Sequence, residues 1–166
     1  MDNRRFSWYI ILAAFITLMS CAEEESKVAG PIKYETPIEL KIFEEHFYSI
    51  YGGKRFTGSI YFANNINPYI GMCSYYYNYD GVYNTIRINP DYWYNISQYQ
   101  KEQLMFHELA HCIYKLQHDT TIVTLRTYNN KMKCPKSIMY PILFDTCYNN
   151  YRTYYLEELR NKIKGT

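Results

Sequence analysis

In this chain, His107-Glu108-Leu109-Ala110-His111 sets two imidazoles four residues apart with a carboxylate beside the first. On a helix that spacing is about one turn, so both rings leave the same face and each can give a nitrogen to one ion at about 2.0–2.1 Å. Zinc suits such a pair: it lowers the pKa of a bound water toward ~7, and Glu108 can take the proton as general base. The expected outcome is attack on a polarised peptide carbonyl through a zinc-bound water.

Zinc needs a third protein ligand, and His118 is the nearest. Three of the four histidines fall within twelve residues, with only His46 elsewhere. On a continuing helix His118 would sit about 10 Å beyond His111, so the chain must leave the helix and turn back. Asp119, Glu157 and Glu158 are the other candidates, and His118 is taken ahead of them. At 100° per residue, Leu104, Glu108, His111 and Lys115 fall on the His107 side of the helix, within about 100°. Met105, Phe106, Leu109, Ala110, Cys112, Ile113 and Leu116 occupy the remaining arc, which predicts a histidine face separate from the buried one.

Ser137-Ile138-Met139-Tyr140-Pro141 follows downstream. With the histidine motif, it gives the chain a resemblance to the metzincin metallopeptidases, whose signature is HExxHxxGxxH and then a methionine in a tight turn. The resemblance implies His107 and His111 as zinc ligands, Glu108 as general base and Met139 as the Met-turn residue packed beneath the ion. The family's glycine falls here at Tyr114 and its third histidine at Gln117, one residue before His118. A one-residue insertion restores contact through His118, and an ordinary residue must then make the turn. Tyr140 is given no catalytic role.

Several elements must position these groups. Thr36 can cap a helix with Pro37 at its first position, and Ile38, Ile42, Phe43, Phe47 and Ile50 recur at helical spacing up to Gly52-Gly53. Phe56, Ser59 to Phe62, Met72 to Tyr77 and Val82 to Ile88 read as short strands, with Tyr79-Asp80-Gly81 as a hairpin turn. Ser97 and Gln100 form a capping box for a helix reaching Leu116. A strand is expected at Ile122 to Leu125, and a last helix from Asn150 to Lys164 along Tyr154, Tyr155, Leu156, Leu159 and Ile163. The fold class is α+β and metzincin-like: a small twisted mixed sheet packed on an N-terminal helix and the active-site helix, followed by a Met-turn and a C-terminal helix.

The chain has 166 residues, enough for one core and expected to act as a monomer. A net charge of +2 excludes the basic excess of a nucleic-acid surface. Arg4 and Arg5 precede an apolar run from Phe6 to Ser20, too short at roughly 22 Å to span a ~30 Å hydrocarbon core. It reads as a signal peptide over residues 1–20. Leu18-Met19-Ser20-Cys21 resembles the bacterial lipobox, which implies lipidation at Cys21, a tether over 21–35 and a metallopeptidase-like domain over 36–166. That places the protein in the bacterial cell envelope, held to the membrane by its N-terminal lipid, with its facing left open.

Outside the cytoplasm Cys73, Cys112, Cys134 and Cys147 can form two disulfides in three ways. A Cys134–Cys147 bridge would pin the loop around Met139, and a Cys73–Cys112 bridge would tie helix to sheet. Tyrosine is the outlying residue type, 21 in all, nine of them between Tyr69 and Tyr99. The expected function is a zinc-dependent endopeptidase acting on extracytoplasmic proteins or peptides, which would add to a sheet edge as an extended strand. The alternatives are a non-catalytic surface lipoprotein whose tyrosine-rich sheet binds a protein or glycan, and a zinc hydrolase acting on another bond.

Overall fold

The computed structural model describes residues 35–78, 81–126 and 131–166. The signal run, Cys21 and the tether up to residue 34 lie outside the described residues, as do Tyr79 and Asp80 of the expected hairpin turn. Among the described residues the fold is mixed α+β, and no helix is long and apolar enough to cross a membrane.

Helix α1 (Ile38–Tyr51) starts one residue later than expected: Pro37 is the N-cap, and no side chain caps the helix, so Thr36 does not serve. The Pro37 carbonyl instead accepts the Leu40 and Lys41 N–H groups at 3.0 and 2.9 Å. Gly52 ends the helix with φ 61°, a conformation a residue without Cβ adopts freely. The buried side chains are Leu40, Phe47 and Tyr48, whereas Ile38 and Ile42 are 65% and 60% exposed. The helix is thus rotated from the expected stripe. Phe47 packs edge-on against Phe106 at 5.2 Å, and the larger aromatic faces decide which side turns inward.

Strands β1 (Ser59–Phe62), β2 (Gly71–Asn78) and β3 (Gly81–Ile88) form one sheet in the order β1-β3-β2. β1 runs parallel to β3 and β2 antiparallel, from Gly71↔Ile88 to Asn78↔Gly81, so the sheet is small and mixed as expected. A four-residue helix α2 (Pro90–Trp93) follows, capped by the Asn89 side chain, which accepts the Asp91 N–H at 3.0 Å.

Helix α3 (Gln98–Tyr114) opens on the expected capping box, with both reciprocal bonds between Ser97 and Gln100 present. Every residue from Glu102 to Ala110 is buried, His107 and Glu108 included. The separation of a histidine face from a buried face therefore does not hold. Sheet, α1 and the C-terminal part of the chain enclose α3 from several sides, which leaves most of it no solvent face.

Beyond α3, β4 (Ile122–Arg126) pairs antiparallel with β5 (Lys131–Pro135), and α4 (Asp145–Asn150) and α5 (Arg152–Lys164) close the chain. The structure forms both disulfides, Cys73–Cys112 and Cys134–Cys147. The first joins β2 to α3 and the second joins β5 to α4. Glu102 of α3 ties the helices together: it accepts two bonds from Arg152 at 2.7 and 2.6 Å and one from the Tyr148 hydroxyl at 3.0 Å, and it pairs with His46 at 3.0 Å.

Candidate metal centre

One turn of α3 separates His107 from His111, and the chain brings His118 back to them after the helix ends. The Nε2 atoms form a triangle with edges of 2.9 Å (His107 to His111), 3.2 Å (His111 to His118) and 3.3 Å (His118 to His107). Three ligand atoms on one tetrahedral ion at about 2.0–2.1 Å stand about 3.3–3.4 Å apart, so the triangle is close to ligand spacing. The group is able to hold a metal ion.

The other ring nitrogens define how the rings face. His107 Nδ1 donates to the Ile138 carbonyl at 2.9 Å and His111 Nδ1 to the Leu116 carbonyl at 2.5 Å. A carbonyl only accepts, so in the neutral rings both protons sit on Nδ1 and both Nε2 lone pairs converge. Lone pairs that close repel unless a cation stands among them. Burial, and then the neighbouring His111 charge, hold His107 well below the usual imidazole range. Burial and His118 bring His111 down to about 4, and burial lowers His118. Neutral imidazoles are the form that binds metal.

Glu108 is 1% exposed. Its carboxylate accepts the Cys73 backbone N–H, which lowers its pKa, but burial dominates and pushes it up to about 8. Its Oε2 is buried with no hydrogen-bond partner. An orphaned carboxylate oxygen one residue from the histidine triangle fits a centre that completes itself with an ion and a water, and a cation there reverses the push of burial. β2 comes this close because Gly71 has no side chain: a Cβ there would lie 2.7 Å from Glu108 Oε1.

The other candidate ligands are engaged elsewhere. Asp119 Oδ2 accepts from Lys162 at 3.0 Å, and its Oδ1 accepts the Thr121 N–H at 3.1 Å. Burial pushes its carboxyl up, but the Thr121 and Lys162 hydrogen bonds prevail and bring it to about 2. Glu157 pairs with Arg160, and Glu158 accepts from the Ser137 hydroxyl at 2.8 Å and lies 3.4 Å from Lys162.

Met139 is fully buried in a turn closed by the Tyr140 N–H on the Ser137 carbonyl at 3.2 Å. That turn supplies the Ile138 carbonyl that orients His107, and the Met139 carbonyl accepts the Asp119 N–H at 2.9 Å. A cavity of about 300 Å³ opens beside His107 and Glu108, lined largely by apolar side chains such as Ile70, Ile96, Leu104, Pro141 and Leu143.

The helix exit is made by Lys115, with φ 57° and ψ 27°, the only non-glycine residue at positive φ among the described residues. Sequence reasoning required a turn near here but did not find which residue makes it. It also missed Tyr75, whose hydroxyl donates to the His111 carbonyl at 2.6 Å. Neither residue belongs to a motif; the only signal was the missing glycine. Compared with protein-family models, curated proteins and solved structures, the chain matches none of them.

Proposed function

We propose that the protein is a zinc-dependent endopeptidase of metzincin-like organisation, lipid-anchored through Cys21 in a bacterial envelope and acting on proteins or peptides there. One observation carries the reading: three imidazole nitrogens converge, and one of them, His107, lines an apolar cleft together with Glu108, whose buried Oε2 has no hydrogen-bond partner. His107, His111 and His118 would hold the ion. When bound, zinc would polarise a carbonyl and acidify water.

The chain's own residues do the rest. Glu108 Oε2 takes the proton of an attacking water and returns it to the leaving amine, while the Cys73 N–H holds the carboxylate in place. The Met139 turn fixes the His107 ring through Ile138. A substrate strand lying along the β2 edge would set its scissile carbonyl at the histidines and drop an apolar side chain into the cleft. The non-catalytic alternative assigns no task to the free Glu108 oxygen.

The test is elemental analysis together with peptide-library hydrolysis. One zinc per chain and cleavage are expected in the wild type. Glu108→Gln should keep zinc and lose about 10²–10⁴-fold in kcat. Undiminished cleavage by that variant removes the mechanism.

A further inference from the structure

The turn that carries the chain from His111 to His118 has no glycine, yet it adopts a glycine's conformation. Lys115 sits in the left-handed region, where a residue with a Cβ is disfavoured. Its N–H bonds the His111 carbonyl at 3.0 Å, in the manner of a helix end closed by a left-handed residue. The next carbonyl, Leu116, is thereby swung back onto His111 Nδ1, and His118 follows two residues later with its Nε2 at the triangle. One unfavourable dihedral therefore serves two of the three imidazoles.

What holds it is on the sheet. The Lys115 ammonium lies 3.0 Å from the centroid of the Tyr75 ring, and the Tyr75 hydroxyl donates to the same His111 carbonyl that takes the Lys115 N–H. Tyr75 is 6% exposed and stands on β2, two residues after Cys73, whose disulfide binds that strand to α3. Lys115 is itself exposed, so its cation over the buried Tyr75 ring is worth about 0.5–1 kcal/mol, enough to offset much of the cost of one left-handed residue.

We infer that Lys115 and Tyr75 are positioning residues of the metal centre: Tyr75, held by the β2 strand, clamps Lys115 in a left-handed turn that aims His111 and delivers His118. The inference rests on the zinc reading above. It assigns the sheet a part in ligand geometry separate from any substrate contact.

The experiment titrates the whole purified chain and its variants with Zn2+ against a chromophoric chelator, with the visible spectrum of the Co2+ form as a second readout of coordination. Lys115→Gly should bind within about threefold of wild type, because glycine reaches the same conformation unaided. Lys115→Val should bind about 10–100-fold more weakly and lose the tetrahedral Co2+ bands, the range seen when an orienting partner is removed. Tyr75→Leu should weaken binding about 2–5-fold in the wild-type background and have little effect beside Lys115→Gly, where no clamp is needed. Wild-type affinity in Lys115→Val, or loss of metal in Lys115→Gly with its far-UV spectrum intact, overturns the inference while leaving the zinc site standing. A wild-type chain that takes up no zinc overturns both.

Discussion

Gly71→Ala probes how tightly the sheet is drawn onto the general base. The added methyl would lie 2.7 Å from Glu108 Oε1 and 2.8 Å from Leu104 Cδ1, where ordinary contact begins at 3.4 Å. About 0.7 Å of displacement is required, and packed interiors resist this at about 1–3 kcal/mol. β2 cannot simply swing away, because Cys73 is bonded to Cys112 two residues along. Leu104 is itself 2% exposed. The movement therefore falls on the Glu108 carboxylate and on its bond from the Cys73 N–H. Urea unfolding of the oxidised protein should show the stability loss, equivalent to about 4 °C in melting midpoint per kcal/mol for a domain of this length. Steady-state hydrolysis should show kcat down about 10–100-fold with KM little changed, since a sub-ångström error at a proton-transfer group acts on the chemical step. An alanine variant with the wild-type midpoint and the wild-type kcat would refute the close approach of strand and carboxylate.

Glu102→Gln should cost about 2–3 kcal/mol in urea unfolding, less than the ~3–5 of a fully buried pair because the Arg152 side chain is 33% exposed; a change under 0.5 kcal/mol would deny Glu102 its tie between the helices. Removing the Cys73–Cys112 bridge, 39 residues apart in sequence, should cost about 4 kcal/mol and the 13-residue Cys134–Cys147 bridge about 3. Paired Cys→Ala variants compared with the oxidised wild type measure both, and the reverse ranking would show that loop closure does not set the order. Asp119 is more acidic folded than unfolded, so its contribution is complete above its ordinary value near 3.8 and is lost as pH falls from there toward about 2. Asp119→Asn should flatten the stability profile across that window, and an unchanged acid limb would count against the Lys162 and Thr121 bonds.

Local chemistry was legible in the sequence where both partners lie within a few residues. The Ser97–Gln100 capping box and the strand from Ser59 to Phe62 needed nothing from the rest of the chain. The two histidines one turn apart are of the same kind. His118 could be named because it was near, but what it required, a left-handed lysine braced by a tyrosine from β2, depends on a contact across 40 positions. The α1 face was misread because periodicity treats Ile42 and Phe47 alike, whereas a phenylalanine beside Phe106 buries more surface than an exposed isoleucine loses. The pattern of α3 misled for the converse reason: polar side chains at His107 and Glu108 suggested a face apart from the buried one, yet both are buried beside the apolar cavity. Strand β5 and helix α4 are too short for their patterns to stand out, and a disulfide joins them.

Both acceptors that orient the paired rings, the carbonyls of Ile138 and Leu116, belong to the main chain. No side-chain replacement deletes a carbonyl, so an alanine scan would pass over the groups that choose which nitrogen of His107 and His111 carries the proton. The tautomers are written in the path of two loops rather than in the side chains of Ile138 and Leu116. Engineering them would take amide-to-ester backbone chemistry or a change in loop length, and homologous chains could exchange those two side chains for others that fit the core while keeping the same pair of rings aimed inward.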